Sequence, residues 1–267
     1  MANRSSNTLR SLIDEYEQSP GLILYRFISN GETLLGAHSE NYNDLIVLIN
    51  DYDTKVQEAT PKPGRIVSPN HVDAKSHLKT FLRLMHNYCA SLYTLDQNYN
   101  DFLNKSKYGD PFDKEIGKLL GEFRLTPKNL FFFALRNYYT HHRIPAFKVS
   151  VSSRRDDNDL MSVRGKFTIS KSFFNSDFNK TIWTEEPEHT SKLIERPDML
   201  RILSHYISHD AADGSSIEIT DVVVEFQKEL ALCYENINDT LIAKYRNNYS
   251  RTKSLITEIL KRQEALD

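Results

Sequence analysis

Residues 135–145, near the middle of the chain, bring together side chains that can do acid–base chemistry. Arg136 keeps its charge at physiological pH and presents a planar fork of N–H donors that suits a phosphate. His141 has the one side chain whose ordinary pKa lies near neutrality, so it can accept and return a proton. Asn137 can orient either the arginine or a bound substrate. The combination indicates proton transfer beside a phosphate group.

The spacing of these residues restricts how they can cooperate. Asn137 and His141 are neighbours at i and i+4 of a helix, whereas Arg136 and His141 lie about 140° apart around an ideal helix axis. Bringing Arg136 and His141 to one point requires the reach of the arginine, a loosened last turn or a second copy of the chain. From the residues alone, a polar cluster at a helix end remains as good an interpretation as a catalytic site.

Local signals predict the elements that carry this stretch. Thr126 and Pro127 supply an N-cap and a first-turn proline, so residues 129–142 are predicted as a helix that Pro145 must end. After Pro145 the apolar residues alternate with polar ones, which predicts a β-hairpin inserted around residues 146–171. Its charge is mostly positive. Both a solvated strand edge and a phosphate-binding flap fit that charge.

Helical periodicity dominates the rest of the chain. The run 22–28 could be a strand closed by Asn30 and Gly31, but its helical neighbours favour a helix. A break is expected near Asn247 and Asn248. The other predicted helices cover residues 9–16, 41–56, 78–102, 199–207 and 219–266. The predicted fold is mainly α: a helical bundle with long helices and the hairpin insertion, in a single domain of residues 1–267 with a possible subdivision near residue 175.

Composition sets limits on the function. With 267 residues, 39% of them hydrophobic and a formal net charge of −2, the chain can bury a core and has no overall attraction to nucleic acid. It has neither a basic-then-apolar leader nor an apolar run of about 18 residues, so a cytoplasmic protein is expected, with no membrane contact. Cys89 and Cys233 lack a CxxC spacing and are interpreted as buried thiols.

Other motifs give no support for alternative chemistry. The chain has no phosphate-binding loop, dinucleotide-binding glycine motif, HExxH or Gly-x-Ser-x-Gly. His205 and His209 have metal-sharing spacing and Asp210 could join them, but exposed histidines at a helix end explain them better without a clear third ligand. Asp51 and Asp53 alone are too sparse for a cation site. Neither a metal nor a cofactor is predicted.

The segment Arg136-Asn137-Tyr-Tyr-Thr-His141 resembles the motif of the HEPN superfamily, which is Arg, a polar residue, three variable positions and His. That superfamily comprises all-helical domains of prokaryotic toxins, phage-defence proteins and CRISPR-associated ribonucleases. The match covers residues 126–145, and the hairpin is not a general feature of the family. His142 would serve as the motif histidine if the spacing were stretched.

The resemblance implies a metal-independent endoribonuclease whose composite site forms across a homodimer. Arg136, Asn137 and His141 would be the catalytic residues, and cleavage would proceed by attack of the RNA 2′-OH. Expected partners are RNA and a second copy of the chain, with an antitoxin or regulatory protein as a further candidate. The basic hairpin would guide the strand, and exposed aromatic residues that neighbour it would stack on bases. The residues expected to bind RNA are His142, Arg143, Lys148, Arg164 and Lys166.

Two alternatives of other classes stay open on the sequence. One is a non-catalytic HEPN-like helical module that binds RNA, a nucleotide or a partner protein through the same groove. The other is a purely structural dimer that assembles through the long helices.

Overall fold

The structure is a computed structural model. It describes residues 2–59, 72–105, 111–141, 145–155, 161–170 and 216–265. Over these residues the chain is mostly helical with one small antiparallel sheet, so the mainly α prediction is confirmed. The predicted helix 199–207, together with His205, His209 and Asp210, lies outside the described residues. In the part of the chain that is described, no helix has the length and apolar character needed to cross a membrane.

The described residues form seven helices and three strands. The helices are α1 Ala2–Glu17, α2 Leu22–Ala59, α3 Ala74–Lys105, α4 Pro111–Arg124, α5 Pro127–His141, α6 Ile219–Lys244 and α7 Arg246–Glu264. The strands are β1 Phe147–Arg155, β2 Met161–Ser170 and β3 Ser216–Glu218.

Helix α2 joins two segments that the sequence separates. The runs 22–28 and 41–56 belong to one helix of 38 residues, and Asn30 and Gly31 do not form a turn. A Cβ added to Gly31 would lie 3.3 Å from the Tyr99 hydroxyl, so this glycine permits a close approach to α3. A glycine inside a helical pattern can mark a turn or a close contact with a neighbouring helix, and only the packing distinguishes the two.

No helix is predicted between residues 102 and 129, yet the structure has helix α4 there. Pro111 begins this helix, a first-turn position that suits proline. Ile116, Leu120 and Phe123 are buried and recur at helical spacing. The signal for this helix was therefore present in the sequence.

The predicted break in the last long helix is confirmed. It falls at Tyr245, slightly before the expected pair Asn247 and Asn248, and it separates α6 from α7. Tyr245 has φ −113° and ψ 29°, outside helical geometry.

The chain forms two compact units, each assembled from stretches that are distant in sequence. The first unit comprises Met1–Gly36, Leu95–Leu120 and Ala231–Asp267, and the second comprises Ala37–Thr94 and Gly121–Leu230. Tyr99 lies in the core of the first unit, where its ring packs edge-on against Phe27 at 4.7 Å and its hydroxyl donates to Asn238 Oδ1 at 2.9 Å. Helix α5 and the sheet belong to the second unit.

The sheet packs by its apolar face on helices of the second unit. The Phe167 ring stacks on Phe81 with 4.2 Å between centroids, and it also contacts Tyr52 at 5.2 Å. The Gly165 N–H donates to Asp53 Oδ1 at 2.8 Å, and a Cβ on Gly165 would lie 2.8 Å from the Tyr52 ring. Asp53 therefore attaches β2 to α2, which gives this acidic residue a structural explanation.

The predicted hairpin is confirmed as β1 and β2, which pair antiparallel from Phe147 opposite Ile169 to Arg155 opposite Met161. The third strand was not predicted. It pairs Glu218 with Thr168 and places the start of α6 beside β2. A segment as short as β3 has too few residues to show alternation by itself.

The interpretation of both cysteines as buried thiols is confirmed for Cys89 but not for Cys233. Cys89 and Cys233 are free, the first buried and the second half-buried. Burial raises the pKa of Cys233 to about 11, so its thiol stays protonated near neutral pH.

Candidate functional site

Buried, mostly aromatic residues determine which side of helix α5 faces the core. Phe131, Phe132 and Leu135 are fully buried, and Phe132 contacts Phe226 of α6 at 4.6 Å and Tyr88 of α3 at 5.4 Å. These contacts direct the opposite side of the helix outward. Arg136 and Asn137 are half-buried and lie at the margin between the two sides.

The start of α5 differs in one detail from the expected cap. Helix α5 begins at Pro127, and the Leu130 N–H donates to the Thr126 carbonyl at 3.0 Å. The Thr126 hydroxyl, however, has no hydrogen-bond partner within the described residues. Asn129 does not replace this cap, because its Nδ2 donates to the carbonyl of Arg124, the last residue of α4, at 3.3 Å. Thr126 therefore precedes the helix as predicted, but its hydroxyl does not make a capping hydrogen bond.

Arg136 lies on α5 with its guanidinium over an aromatic ring of α3. The central guanidinium carbon is 3.9 Å from the centroid of the Tyr93 ring. Arg136 Nη1 also donates to Asn137 Oδ1 at 2.9 Å. The contact that the sequence predicts between Asn137 and the arginine is present, and the two interactions hold the cation in a defined orientation.

Within the described residues, no carboxylate pairs with Arg136. A guanidinium has five N–H donors, and the contact with Asn137 uses one of the terminal nitrogens. Buried or half-buried cations are usually paired with an acid, because removal of charge from water is unfavourable. A guanidinium stacked on a ring and bonded to a neutral amide keeps its charge available for an incoming anion.

His141 is the last residue of α5. The helix remains regular up to this residue, and the Thr140 hydroxyl donates to the Arg136 carbonyl at 3.0 Å inside the last turns. A loosened turn therefore does not bring His141 towards Arg136, and the two positions stay about 140° apart around the helix axis. The His141 side chain, His142 and Arg143 lie outside what the structure describes.

The hairpin presents a polar face with cations. The register pairs Lys148 with Thr168, Ser150 with Lys166 and Ser152 with Arg164, so these residues share one face of the sheet. Lys148 and Arg164 are exposed there, and neither forms an ion pair with a described residue. Lys166 is different, because its Nζ lies 2.8 Å from Glu218 Oε2 on β3.

Phe147 and Phe167 are not among the exposed aromatic residues that the resemblance expects to stack on bases. Both rings lie on the apolar face and are buried, at 5% and 0% exposure. Because side chains alternate along a strand, the residues between the basic positions point inward. The described outer face therefore offers cations and hydroxyls but no ring.

The sequence prediction missed two neighbours of the motif on α3. Tyr93 lies under Arg136, and the exposed His86 packs edge-on against Tyr139 with 5.3 Å between centroids. Tyr93 also contacts Phe133, so the later of these two α3 residues meets the earlier α5 residue, as in an antiparallel pair of helices. The positions 86 and 93 share one helical face beside the buried stripe, which is the only signal that the sequence offers for them.

His38 cannot serve as an acid or base for a bound ligand. Its ring is fully buried on α2, where Nδ1 lies 2.8 Å from Ser91 Oγ and the ring packs on Tyr88 at 4.5 Å. Burial lowers the pKa of His38 to about 4, and the nearby Gln227 side chain offsets a part of this effect. The imidazole is therefore neutral near pH 7 and has no route to a substrate.

Neither a cluster of metal ligands among the described residues nor a comparison with known proteins adds to this geometry. In the ranges that the structure describes, no three His, Cys, Asp or Glu side chains gather closely enough to hold a metal ion. Searches of family models, curated proteins and solved structures find no match to this chain.

Proposed function

We propose that this protein is a metal-independent, HEPN-type endoribonuclease of a toxin or anti-phage defence system, acting in the cytoplasm. The observation that carries this proposal is the Arg136 guanidinium, which is stacked on Tyr93, bonded to Asn137 and free of a carboxylate partner among the described residues. An oriented guanidinium without a carboxylate partner has N–H donors available to bind a phosphate. The Arg-polar-x3-His spacing supplies an imidazole five residues later.

The proposed reaction is transesterification within the RNA. The 2′-oxygen loses its proton to an imidazole and attacks the adjacent phosphorus, while the bond from phosphorus to the 5′-oxygen breaks and the leaving oxygen takes up a proton. The products are a 2′,3′-cyclic phosphate and a 5′-OH. His141 would transfer protons, Arg136 would stabilise the charge that builds on the phosphoryl oxygens, and Asn137 would orient the guanidinium.

A homodimer would complete the site. Arg136 and His141 lie about 140° apart on one regular helix, so a single copy of α5 presents them in different directions. If two copies pack around a twofold axis near the end of α5, Arg136 of one copy can face His141 of the partner subunit. The separation on the helix thus supports a shared site.

The outer face of the sheet would guide the RNA strand by its backbone. Lys148 and Arg164 are exposed on this face, and nearby hydroxyls can bond to phosphate oxygens or ribose. Lys166 would contribute less, because it shares its charge with Glu218. His142 and Arg143, between α5 and β1 in sequence, belong to the same proposed path. Binding of this kind depends on salt and little on base identity.

The test is RNA cleavage by the purified protein in EDTA. Wild-type protein should release fragments that end in a 2′,3′-cyclic phosphate, and Arg136→Ala or His141→Ala should reduce the rate at least about 100-fold. Both variants should keep the wild-type melting temperature. Arg251→Ala is a matched control, since Arg251 is an exposed arginine of α7 that pairs with Glu15, and both residues belong to the first unit, which lacks the candidate site.

Cleavage at the wild-type rate by both site variants would refute the proposal. Intact RNA after long incubation, with salt-sensitive binding, would identify the non-catalytic RNA-binding module instead. A structural dimer would show neither cleavage nor binding, and it would dissociate when a charge is placed in its long-helix interface.

A further inference from the structure

The ring beneath the candidate arginine belongs to a residue outside the motif. We propose that Tyr93 is a positioning residue: its ring holds the Arg136 guanidinium in the orientation that meets the scissile phosphate. The inference rests on the proposed ribonuclease activity, and it assigns to α3 a part of the site that the motif places on α5 alone.

Two contacts of different direction restrain the guanidinium. The Tyr93 ring lies 3.9 Å below the central carbon and sets the height of the cation above α3. Asn137 Oδ1, at 2.9 Å from Nη1, sets its rotation. A ring face attracts the cation without accepting a hydrogen bond in the plane of the guanidinium, so it leaves donors for a phosphate. A carboxylate in place of the ring would occupy those donors.

Tyr93 is itself held by the same helix that carries the arginine. Its ring contacts Phe133 at 6.2 Å between centroids, and Phe133 precedes Arg136 by about one turn of α5. Tyr93, Phe133 and Arg136 are all half-buried. The tyrosine therefore lies between two successive side chains of one face of α5, and its position is set before any substrate binds.

The ring, rather than the hydroxyl, carries the interaction. Within the described residues the Tyr93 hydroxyl has no hydrogen-bond partner, whereas the ring face contacts the cation directly. A phenylalanine at this position should therefore preserve the effect. An aliphatic residue should release a long side chain that then samples several rotamers.

The predicted consequence lies in the chemical step. Loss of orientation should weaken an interaction that develops in the transition state, while the RNA is still bound by the sheet face. We expect Tyr93→Leu to lower kcat at least about tenfold and to change KM less than about threefold. Tyr93→Phe should stay within about threefold of the wild-type kcat.

The experiment measures kcat and KM for RNA cleavage in EDTA by wild type, Tyr93→Phe, Tyr93→Leu, Arg136→Ala and the double variant. If Tyr93 acts through Arg136, adding Tyr93→Leu to Arg136→Ala should cause no further loss. Tyr25→Leu is the matched control, because Tyr25 has a half-buried ring that packs on Tyr249, and both residues belong to the first unit, which lacks the candidate site.

A second readout needs no activity. The face of an aromatic ring shifts the NMR signals of a guanidinium above it upfield, and the Arg136 side-chain signal can be assigned by its loss in Arg136→Lys. Tyr93→Leu should move this signal to an ordinary position, and Tyr93→Phe should not. If Tyr93→Leu fails to fold, Tyr93→Met removes the ring while filling a similar volume.

The outcomes separate the two proposals. If Arg136→Ala is inactive while Tyr93→Leu keeps the wild-type kcat and guanidinium signal, the positioning role is overturned and the ribonuclease proposal stands. Equal losses in Tyr93→Phe and Tyr93→Leu would also overturn it, since the ring would then be irrelevant. Wild-type cleavage by Arg136→Ala would remove the ribonuclease site, and the positioning role with it.

Discussion

Lys128 and Arg136 are cations at opposite ends of the same helix, α5, and their surroundings treat the charge in opposite ways. Lys128 Nζ lies 2.5 Å from Glu229 Oε1 and 3.1 Å from Glu225 Oε2, both on α6. Arg136 faces the Tyr93 ring and the Asn137 amide. Lys128 attaches α5 to α6, whereas Arg136 retains donors that nothing described on the protein uses.

The difference shows that burial by itself does not identify a functional cation. The Lys128 side chain is 16% exposed, yet two carboxylates neutralise it and give it a structural role. His38 avoids a buried charge in a third way, because burial lowers its pKa and its ring is neutral near pH 7 without an acidic partner. The chemistry of the partner therefore decides what a buried cation can do.

Exchange of the two cations should give the largest effect. Arg136→Lys keeps the charge but loses the planar fork, so we expect RNA cleavage to slow about 100- to 1,000-fold, or about 3 to 4 kcal/mol in the barrier. Lys128→Arg should change neither cleavage nor melting temperature by much, because a guanidinium can pair with the same two glutamates. Full activity of Arg136→Lys would mean that charge alone matters.

The neutral state of His38 should appear as a pH dependence of stability. Above pH 6.5 both folded and unfolded chains carry a neutral His38, but between pH 6.5 and about 4 only the unfolded chain binds the proton. The free energy of unfolding should therefore fall by about 3 kcal/mol as the pH is lowered through this window. Urea titrations of wild type and His38→Gln would measure it, and an identical pH dependence in both would contradict the assignment.

Removal of the structural cation should affect stability and leave the chemistry intact. Lys128→Met leaves Glu225 and Glu229 without the lysine between them, and we expect a loss of about 1 to 2 kcal/mol, limited by the exposure of both acids. The loss should shrink in high salt. RNA cleavage measured well below the melting temperature should match the wild-type rate, and a parallel loss of activity would end the contrast with Arg136.

The sheet repeats the comparison on a smaller scale. Lys166 is paired with Glu218, whereas Lys148 is exposed and has no acid partner among the described residues. Lys148→Ala should weaken RNA binding severalfold and lower the slope of log affinity against log salt by about 1. Lys166→Ala should change that slope less. Binding curves at several salt concentrations test both, and equal slopes for the two variants would show that the ion pair does not matter.

Much of the fold could be predicted because its causes are local. Pro127 and Pro145 bound α5, alternation marks β1 and β2, and the break near Asn247 follows from weak helix formers. The continuity of α2 through Gly31 could not be predicted, because a glycine fits a turn or a close helix contact equally well. Helix α4 was not predicted, although its apolar residues recur at helical spacing in the sequence.

The sequence by itself determined the chemical groups and their spacing on α5: a permanent cation at Arg136, an amide beside it and an imidazole at His141. Only the tertiary structure decided that Tyr93 lies under the Arg136 guanidinium and that glutamates of α6 form ion pairs with Lys128. The physical reason is that helix periodicity follows from neighbouring residues, whereas the partner of a side chain depends on packing between segments far apart in the chain. Whether a cation is available or neutralised is a property of that packing.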